Sequence, residues 1–382
     1  MRRAHFAAWA PHCPVCARDR GTTPRLGLAD GATERDHDVL AGILVCAEAT
    51  CRHEYPIVDG IPIITADLRR HLGERGIELL LRDDLDPAIL GLIGDALGPD
   101  CWFDVVRQGV STYAWDAYAD LDPLEDSAGE PRPGAARRCL AALLELARPW
   151  RPGDARHVLD LGCAAGRTSF DLASGGDALV LGVDSNLALL RLARRVATTG
   201  AGEYARRRIG LVYDQRRFAA DLPGRERVDF WACDASALPF AAGNADLVTA
   251  LNLLDCVPDP RRLLAAMAAA LRPGGALLLA TPFDWSTRAT PVEAWIGGHS
   301  QRGTGGGAAE PLTHALLTPG AHPLTVEGLR LGATAEHAWH TRLHARSAVL
   351  YRSHLMALSR IPEHAQLDNA AARDDSFAHD AT

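Results

Sequence analysis

The chain has 382 residues, more than one average domain needs and suited to one large domain with a small companion. Its 47% apolar, 23% charged and 6% aromatic residues, with 35 glycines and 23 prolines, describe a turn-rich globular chain and exclude a fibrous one. A net charge of -8 argues against a surface that neutralises phosphates, so nucleic acid is not an expected partner. No apolar run approaches the roughly 18 residues of a membrane span. The opening Phe6-Ala7-Ala8-Trp9-Ala10 follows a polar His5 and stops at Pro11, too short for a signal peptide. A cytoplasmic, membrane-free chain is therefore expected.

Four of the nine cysteines crowd into the first 51 residues. Cys13 and Cys16 are two residues apart and can clasp one ion from a single turn, and Cys46 and Cys51 supply a second pair. Four thiolates close a tetrahedral shell, so the spacing predicts a structural zinc stapling a domain too small to hold itself together. The remaining five, Cys101, Cys139, Cys163, Cys233 and Cys256, read as buried free thiols. The run from Ile43 to Ile64, closing in Tyr55-Pro56-Ile57 and Asp59-Gly60-Ile61-Pro62, resembles the small zinc-ribbon family that activates tRNA and release-factor methyltransferases, over about residues 10 to 66. Four residues separate Cys46 from Cys51 where that family has two, so either Cys46 or His53 completes the metal set. The resemblance implies a scaffold or a docking surface for a protein partner.

Residues 67 to 135 mix short helical patterns (Ile77 to Leu81, Ile89 to Leu97) with glycines, prolines and acidic turns, and read as a helical connector. Within it, Tyr113, Trp115 and Tyr118 supply either a lid over a ligand or plain packing. Leu140, Leu143, Leu144 and Ala147 recur at helical spacing from Arg137 to Ala147, and Pro149 follows. Val158 to Leu161 then reads as a buried parallel strand breaking into Gly162-Cys163-Ala164-Ala165-Gly166, a turn whose glycines let backbone approach a nucleotide cofactor at a helix N-terminus.

The remainder alternates strands and helices, the mark of a doubly wound parallel sheet. Leu179 to Val183 is a strand ending at Asp184, placed to accept hydrogen bonds from ribose hydroxyls. Ser185 or Asn186 caps the next helix, and Arg191, Arg194, Arg195, Arg206, Arg207 and Arg208 read as solvated helix surface. Val228 to Trp231 leads to Asp234 and Ala235, where a carboxylate can take the exocyclic amine of adenine. Ala245 to Asn252 is the fourth strand, Asp259-Pro260 opens a helix from Arg261 to Leu271, and Ala276 to Thr281 returns as a strand. Gly303 to Gly307 reads as a mobile flap or an inert linker. His337, His340 and His344 read as ordinary strand residues, not metal ligands, and Pro362 to Thr382 as a disordered tail.

Asp160 to Gly166, Asp184, Asp234 and Leu271-Arg272-Pro273-Gly274-Gly275 together resemble the class I methyltransferases that use S-adenosylmethionine. This implies an α/β, Rossmann-like fold with a seven-stranded, mostly parallel sheet and helices on both faces. It also implies that Asp160 and the turn (Gly162, Cys163, Ala164, Gly166) hold the methionine part, Asp184 and Ser185 the ribose, and Asp234 and Ala235 the adenine, with Asn252 beside them. A narrower resemblance, to the methyltransferase module of the ovothiol-biosynthesis enzyme, runs from about 158 to 350. It is carried by Asp160 to Phe170, Asn252-Leu253-Leu254-Asp255, Thr281-Pro282-Phe283-Asp284-Trp285 and Glu293 to Gly298. The chain lacks that enzyme's sulfur-transfer domains.

Methyl transfer from a sulfonium is an in-line displacement that mainly demands placement, and an imidazole nitrogen or thiolate needs no strong base. Asn252, Asp255, Asp284, Trp285 and Trp295 are the candidates on the acceptor side. The expected organisation is a zinc ribbon (1–66), a helical connector or lid (67–135), a methyltransferase domain (136–358) and a disordered tail (359–382). The expected substrate is a small nitrogen or sulfur acceptor of imidazole or amino-acid type. An RNA guanine-type methyltransferase and a non-catalytic partner-binding protein with a degenerate site are the alternatives.

Overall fold

Apolar runs bounded by polar turns form the parallel heart of one sheet, in a computed structural model that describes residues 1–68, 70–71, 98–125, 129, 131–300 and 309–361. In chain order the strands of this heart are β6 (His157–Leu161), β7 (Leu179–Asp184), β10 (Val228–Cys233), β11 (Ala245–Leu251) and β12 (Leu271–Thr281). They are nearly continuous in Val, Leu and Ala because both faces are covered. Two long strands, β13 (Leu329–His344) and β14 (Ser347–Arg360), close one side, with β14 antiparallel to β12. The order β10-β7-β6-β11-β12-β14-β13 contains the seven expected strands, and the chain reverses direction across the sheet between β6 and β11.

The sheet does not stop at seven. Upstream lie β1 (Leu26–Leu28), β2 (Thr33–Arg35), β3 (Asp38–Cys46), β4 (Glu54–Val58) and β5 (Ile61–Ile64). β5 pairs in parallel with the β10 edge, Ile63 opposite Ala232 and Ile64 opposite Cys233, which makes one twelve-stranded sheet. Ile61 and Ile63 enter the core on one face and Ile64 on the other, as a strand buried on both sides requires. The amino-terminal residues are thus an extension of the main sheet and not a separately packed companion.

Helices α3 (Trp102–Tyr118), α4 (Ala135–Leu146), α5 (Arg167–Ala173) and α6 (Leu187–Thr199) share one core, through Tyr118, Leu140, Phe170 and Leu190. The other face is covered by α7 (Pro260–Ala270), α8 (Ala309–Leu316) and the amino-terminal segment with α1 (Arg3–Trp9) and α2 (Pro14–Arg20). Between β10 and β11, residues 234–244 form no helix, although a helix is the usual cover at such a crossover. Helix α1 stands in for it. Trp9 is buried there, 5.3 Å from Phe240 and 5.6 Å from His157 between ring centroids.

The reading of the arginine cluster as helix surface holds only in part: Arg191 and Arg195 are half-buried on α6, and Arg194 is buried there. Arg206 to Arg208 lie in a hairpin, β8 (Ala201–Ile209) and β9 (Val212–Ala219), whose charged residues mask the strand period. The cluster is consumed in pairing: Arg194 with Asp38 and Asp229, Arg195 with Glu203 at 2.9 Å, Arg206 with Glu125 and Asp214. Helices α4 and α7 begin and end within two residues of expectation, and Asp259 caps α7 by accepting from Arg262 N. His337, His340 and His344 fall on β13. The expected segments 77–81 and 89–97, the flap 303–307 and the tail from Pro362 lie outside the described residues. Among the described residues no helix is long and apolar enough to cross a membrane.

Candidate active site

Because β6, β7, β10, β11 and β12 are parallel, Gly162, Asp184, Asp234, Asn252 and Pro282 all follow strand ends on the same edge of the sheet. The point where strand order reverses lies between β6 and β11, which is where open α/β sheets bind ligands. The glycine turn sits there and is held from three sides. Gly162 and Cys163 donate their N–H groups to Val183 O, at 2.7 and 3.1 Å. Ala164, at φ +47°, donates its N–H to Asp184 Oδ2 at 2.9 Å. Ala165 O accepts the hydroxyl of Tyr118 at 2.6 Å. Gly166 (φ +84°) opens α5, and a Cβ there would lie 2.5 Å from Phe230 and 2.7 Å from Ala193, so only glycine fits.

Asp160 takes on a structural part as well as the cofactor-holding one expected of it. It is buried beneath the turn and accepts hydroxyls from Thr168 and Ser169, both at 2.7 Å, and from Thr249 at 2.6 Å. Burial pushes its carboxyl up despite the three donors. Its task is to tie β6, α5 and β11 together under the turn. Asp184 ends β7 and also accepts Asn186 N at 2.7 Å, while Asn186, not Ser185, caps α6 through Leu189 N. Asp234 is exposed after β10 and organises its own turn through Ser236 N at 2.8 Å, with Ala235 half-buried beside it. The Ser236 hydroxyl is buried with no partner among the described residues, an open position beside Asp234. A carboxylate for ribose hydroxyls, a turn only glycine can make and an orphaned hydroxyl by Asp234 fit an adenosyl cofactor.

The residues expected on the acceptor side lie after the ends of β11 and β12, against the inner part of β14. Asn252 adopts φ +54°, and its side-chain oxygen accepts the Ser353 hydroxyl at 2.6 Å, which in turn accepts Trp339 Nε1 at 2.8 Å. Asp255 holds backbone. It is buried, and it clamps the 282–285 segment by accepting Asp284 N at 2.7 Å. Burial raises its carboxyl above the usual range. Asp284 is exposed and pairs with the Tyr351 hydroxyl. Trp285 and Trp295 stack with centroids 6.2 Å apart at 16°, and Trp295 Nε1 donates to Thr290 O at 2.8 Å. Trp285 Nε1 is buried without an acceptor among the described residues.

Of the three connector aromatics, Trp115 and Tyr118 are core and Tyr113 is half exposed. The Tyr113 hydroxyl end is nevertheless enclosed: burial, then Cys256, Asp184, Tyr351 and Asp255, push it up to about 12. Tyr113 and Tyr351 share a cavity of about 430 Å³ between α3, β8 and β13–β14. Sequence reasoning left Tyr118 open between lid and packing and missed Thr249, Tyr351 and Ser353, which act from β11 and β14 and reach Asp160, Asp284 and Asn252 only through the fold.

The four amino-terminal cysteines converge as expected. Cys13 Sγ and Cys51 Sγ are 3.9 Å apart, Cys16 Sγ and Cys46 Sγ 3.8 Å, and all four lie within 4.8 Å of one another. A tetrahedral ion with metal–sulfur bonds of about 2.3 Å separates its ligands by about 3.8 Å, so the cluster fits zinc. Cys46 belongs to it, while His53 stands outside, its Nδ1 3.4 Å from Cys51 Sγ. Of the other five cysteines, Cys139, Cys163 and Cys233 are buried, but Cys101 is half-buried and Cys256 exposed.

A family described as a methyltransferase domain matches residues 159–279. The ubiquinone biosynthesis O-methyltransferase of Coxiella burnetii is 31% identical over 126 residues, 33% of this chain and 43% of its own length. The trans-aconitate 2-methyltransferase of Deinococcus radiodurans is 30% identical over 203 residues, 51% of this chain and 64% of its own length. A solved S-adenosylmethionine-dependent methyltransferase of Methanosarcina mazei aligns with 56% of this chain and 97% of its own at 19% identity, with a TM-score of 0.35. The chain thus spans less than half of the Coxiella relative. Strand-end carboxylates, a glycine turn at the switch point and the sequence match over those same residues identify this part of the chain as a class I, S-adenosylmethionine-dependent methyltransferase domain.

Proposed function

We propose that the chain transfers a methyl group from S-adenosylmethionine to a nitrogen or sulfur of a small acceptor of imidazole or amino-acid type. One observation carries the reading. The glycine turn, hung from Asp184 through Ala164 N, shares the sheet edge with a polar and aromatic wall formed by Asn252, Asp284, Tyr351, Trp285 and Trp295. When bound, the cofactor supplies an electrophilic methyl on a sulfonium. Gly162, Cys163, Ala164 and Gly166 would hold its amino-acid end, Asp184 and Ser185 its ribose, and Asp234, Ala235 and Ser236 its adenine.

The Asp284 carboxylate, fixed by Asp255 and Tyr351, orients an N–H or ammonium of the acceptor and takes up the proton that a nitrogen releases on methylation. The indole faces supply a flat apolar wall that excludes water. The paired state of the arginines argues against RNA as acceptor. Incubation of the full chain with labelled cofactor and separate pools of imidazoles, thiols, amines, phenols, carboxylic acids and RNA tests the reading. Transfer to imidazole, amine or thiol is expected; transfer confined to oxygen acceptors or RNA overturns it.

We further propose that Cys13, Cys16, Cys46 and Cys51 hold a structural zinc and that the amino-terminal residues serve as a scaffold in cis, the β10 edge taking the place of an outside partner. Metal analysis should find thiolate-bound zinc, and its removal by a strong chelator should lower the thermal midpoint. A native chain without thiolate-bound metal would sink this claim.

A further inference from the structure

Beside the acceptor wall, on the β14 side of β12, lies a second group of potential ligands that the site described above does not use. His314 on α8 and His354 on β14 bring their Nε2 atoms to 2.8 Å. Glu310 lies one turn before His314 on the same helix face, and one of its oxygens falls within 4.8 Å of a ring nitrogen from each histidine, the three mutually close. An independent contact sets the chemistry of the pair. Nδ1 of His354 is 2.6 Å from Oε1 of Glu336, directly across the β13–β14 ladder. An ionised carboxylate can only accept, so the His354 proton sits on Nδ1 and Nε2 presents a lone pair toward His314. A carboxylate holding the outer nitrogen of an imidazole is the arrangement that orients histidine toward a metal.

We propose that His314, His354 and Glu310 form a site for a divalent cation of the zinc class, with Glu336 as positioning residue and a fourth coordination position left for water or a ligand. Two imidazoles and one carboxylate favour zinc, cobalt or nickel over magnesium or calcium. Tetrahedral ligands about 2.0–2.1 Å from the ion stand roughly 3.3 Å apart, so the two nitrogens separate by about half an ångström on binding. His314 is half-buried near the end of a short helix and can make that adjustment. His354 pairs in register with Thr281 and stacks on Phe283 at 6.3 Å and 26°. The ion therefore fastens α8 to the strand end from which Asp284 and Trp285 project.

Cobalt titration of the full chain tests this, because thiolate and nitrogen–oxygen sites differ in spectrum. The wild type should take up one cobalt per chain with ligand-field absorption and no thiolate charge transfer, in addition to any ion at the cysteines. His314→Ala should lose that equivalent, and Glu336→Gln should weaken it about 10- to 100-fold, both leaving the thiolate signal unchanged. Absence of a non-thiolate equivalent in the wild type, or equal affinity in wild type and His314→Ala, overturns the site. Glu310→Gln, an exposed change that does not threaten folding, should also weaken binding, and wild-type affinity in that variant removes Glu310 from the ligand set.

Discussion

Single side chains around the glycine turn divide into those that shape it and those that meet a ligand. Gly166 belongs to the first kind: with φ +84° and Phe230 and Ala193 in the way of a Cβ, Gly166→Ala forces the turn apart. A loss of about 1–3 kcal/mol or more in chemical denaturation is expected, with cofactor binding lost as well. Asp184 serves both purposes. Asp184→Ala removes the acceptor for Ala164 N and Asn186 N, and should abolish S-adenosylmethionine binding in calorimetry while the chain stays folded. Unchanged affinity would remove Asp184 from the site. Asp160, buried with three hydroxyl donors, is expected to act on stability: Asp160→Ala leaves Thr168, Ser169 and Thr249 without their acceptor, at about 1–3 kcal/mol for each group left unsatisfied.

Whole elements were legible where burial imposes a simple pattern. β6, β7, β10 and β11 are apolar runs ending in polar residues, and α6 and α7 carry their caps in Asn186 and Asp259, so all could be read from local sequence. The β8–β9 hairpin could not, because arginines and acids on both of its faces hide the two-residue period. Nor could the work of Asp255, which depends on a backbone N–H 29 positions away. Helix α1 went unread for a related reason: seven residues carry too short a pattern, and the need for a cover shows only in the bare crossover at 234–244. Trp9→Ala should cost about 3–5 kcal/mol by urea denaturation, as for a large buried aromatic. A cost under 1 kcal/mol would mean that α1 merely rests on the sheet.

Across the molecule, the two regions of sheet are locked by charge at the β10 edge. Arg194 of α6 pairs with Asp38 of β3 and lies 3.3 Å from Asp229 of β10, which also accepts Arg2 N at 2.8 Å and Trp231 Nε1 at 3.1 Å. Burial alone would raise the Asp229 carboxyl, but Arg194 and the surrounding donors hold it well below the usual carboxylate range. A carboxyl depressed in the folded state stabilises above its unfolded value of about 3.9, and that contribution is lost as pH falls below it. The thermal midpoint should therefore fall more steeply between pH 5 and pH 3 (roughly the window set by that unfolded value) in the wild type than in Asp229→Asn. Parallel pH profiles would show that the lock contributes nothing.

The parallel join of Ile63–Ile64 to Ala232–Cys233 also sets an order of events during synthesis. The first strands leave the ribosome long before β10 exists, and parallel pairing over such a separation closes slowly. Until β10 arrives, β5 presents an open, apolar edge, the kind of surface on which chains misassociate. A cation gathered by the early cysteines would hold that unit in shape through the interval, so metal supply would govern the yield of folded chain even where the folded chain resists chelation.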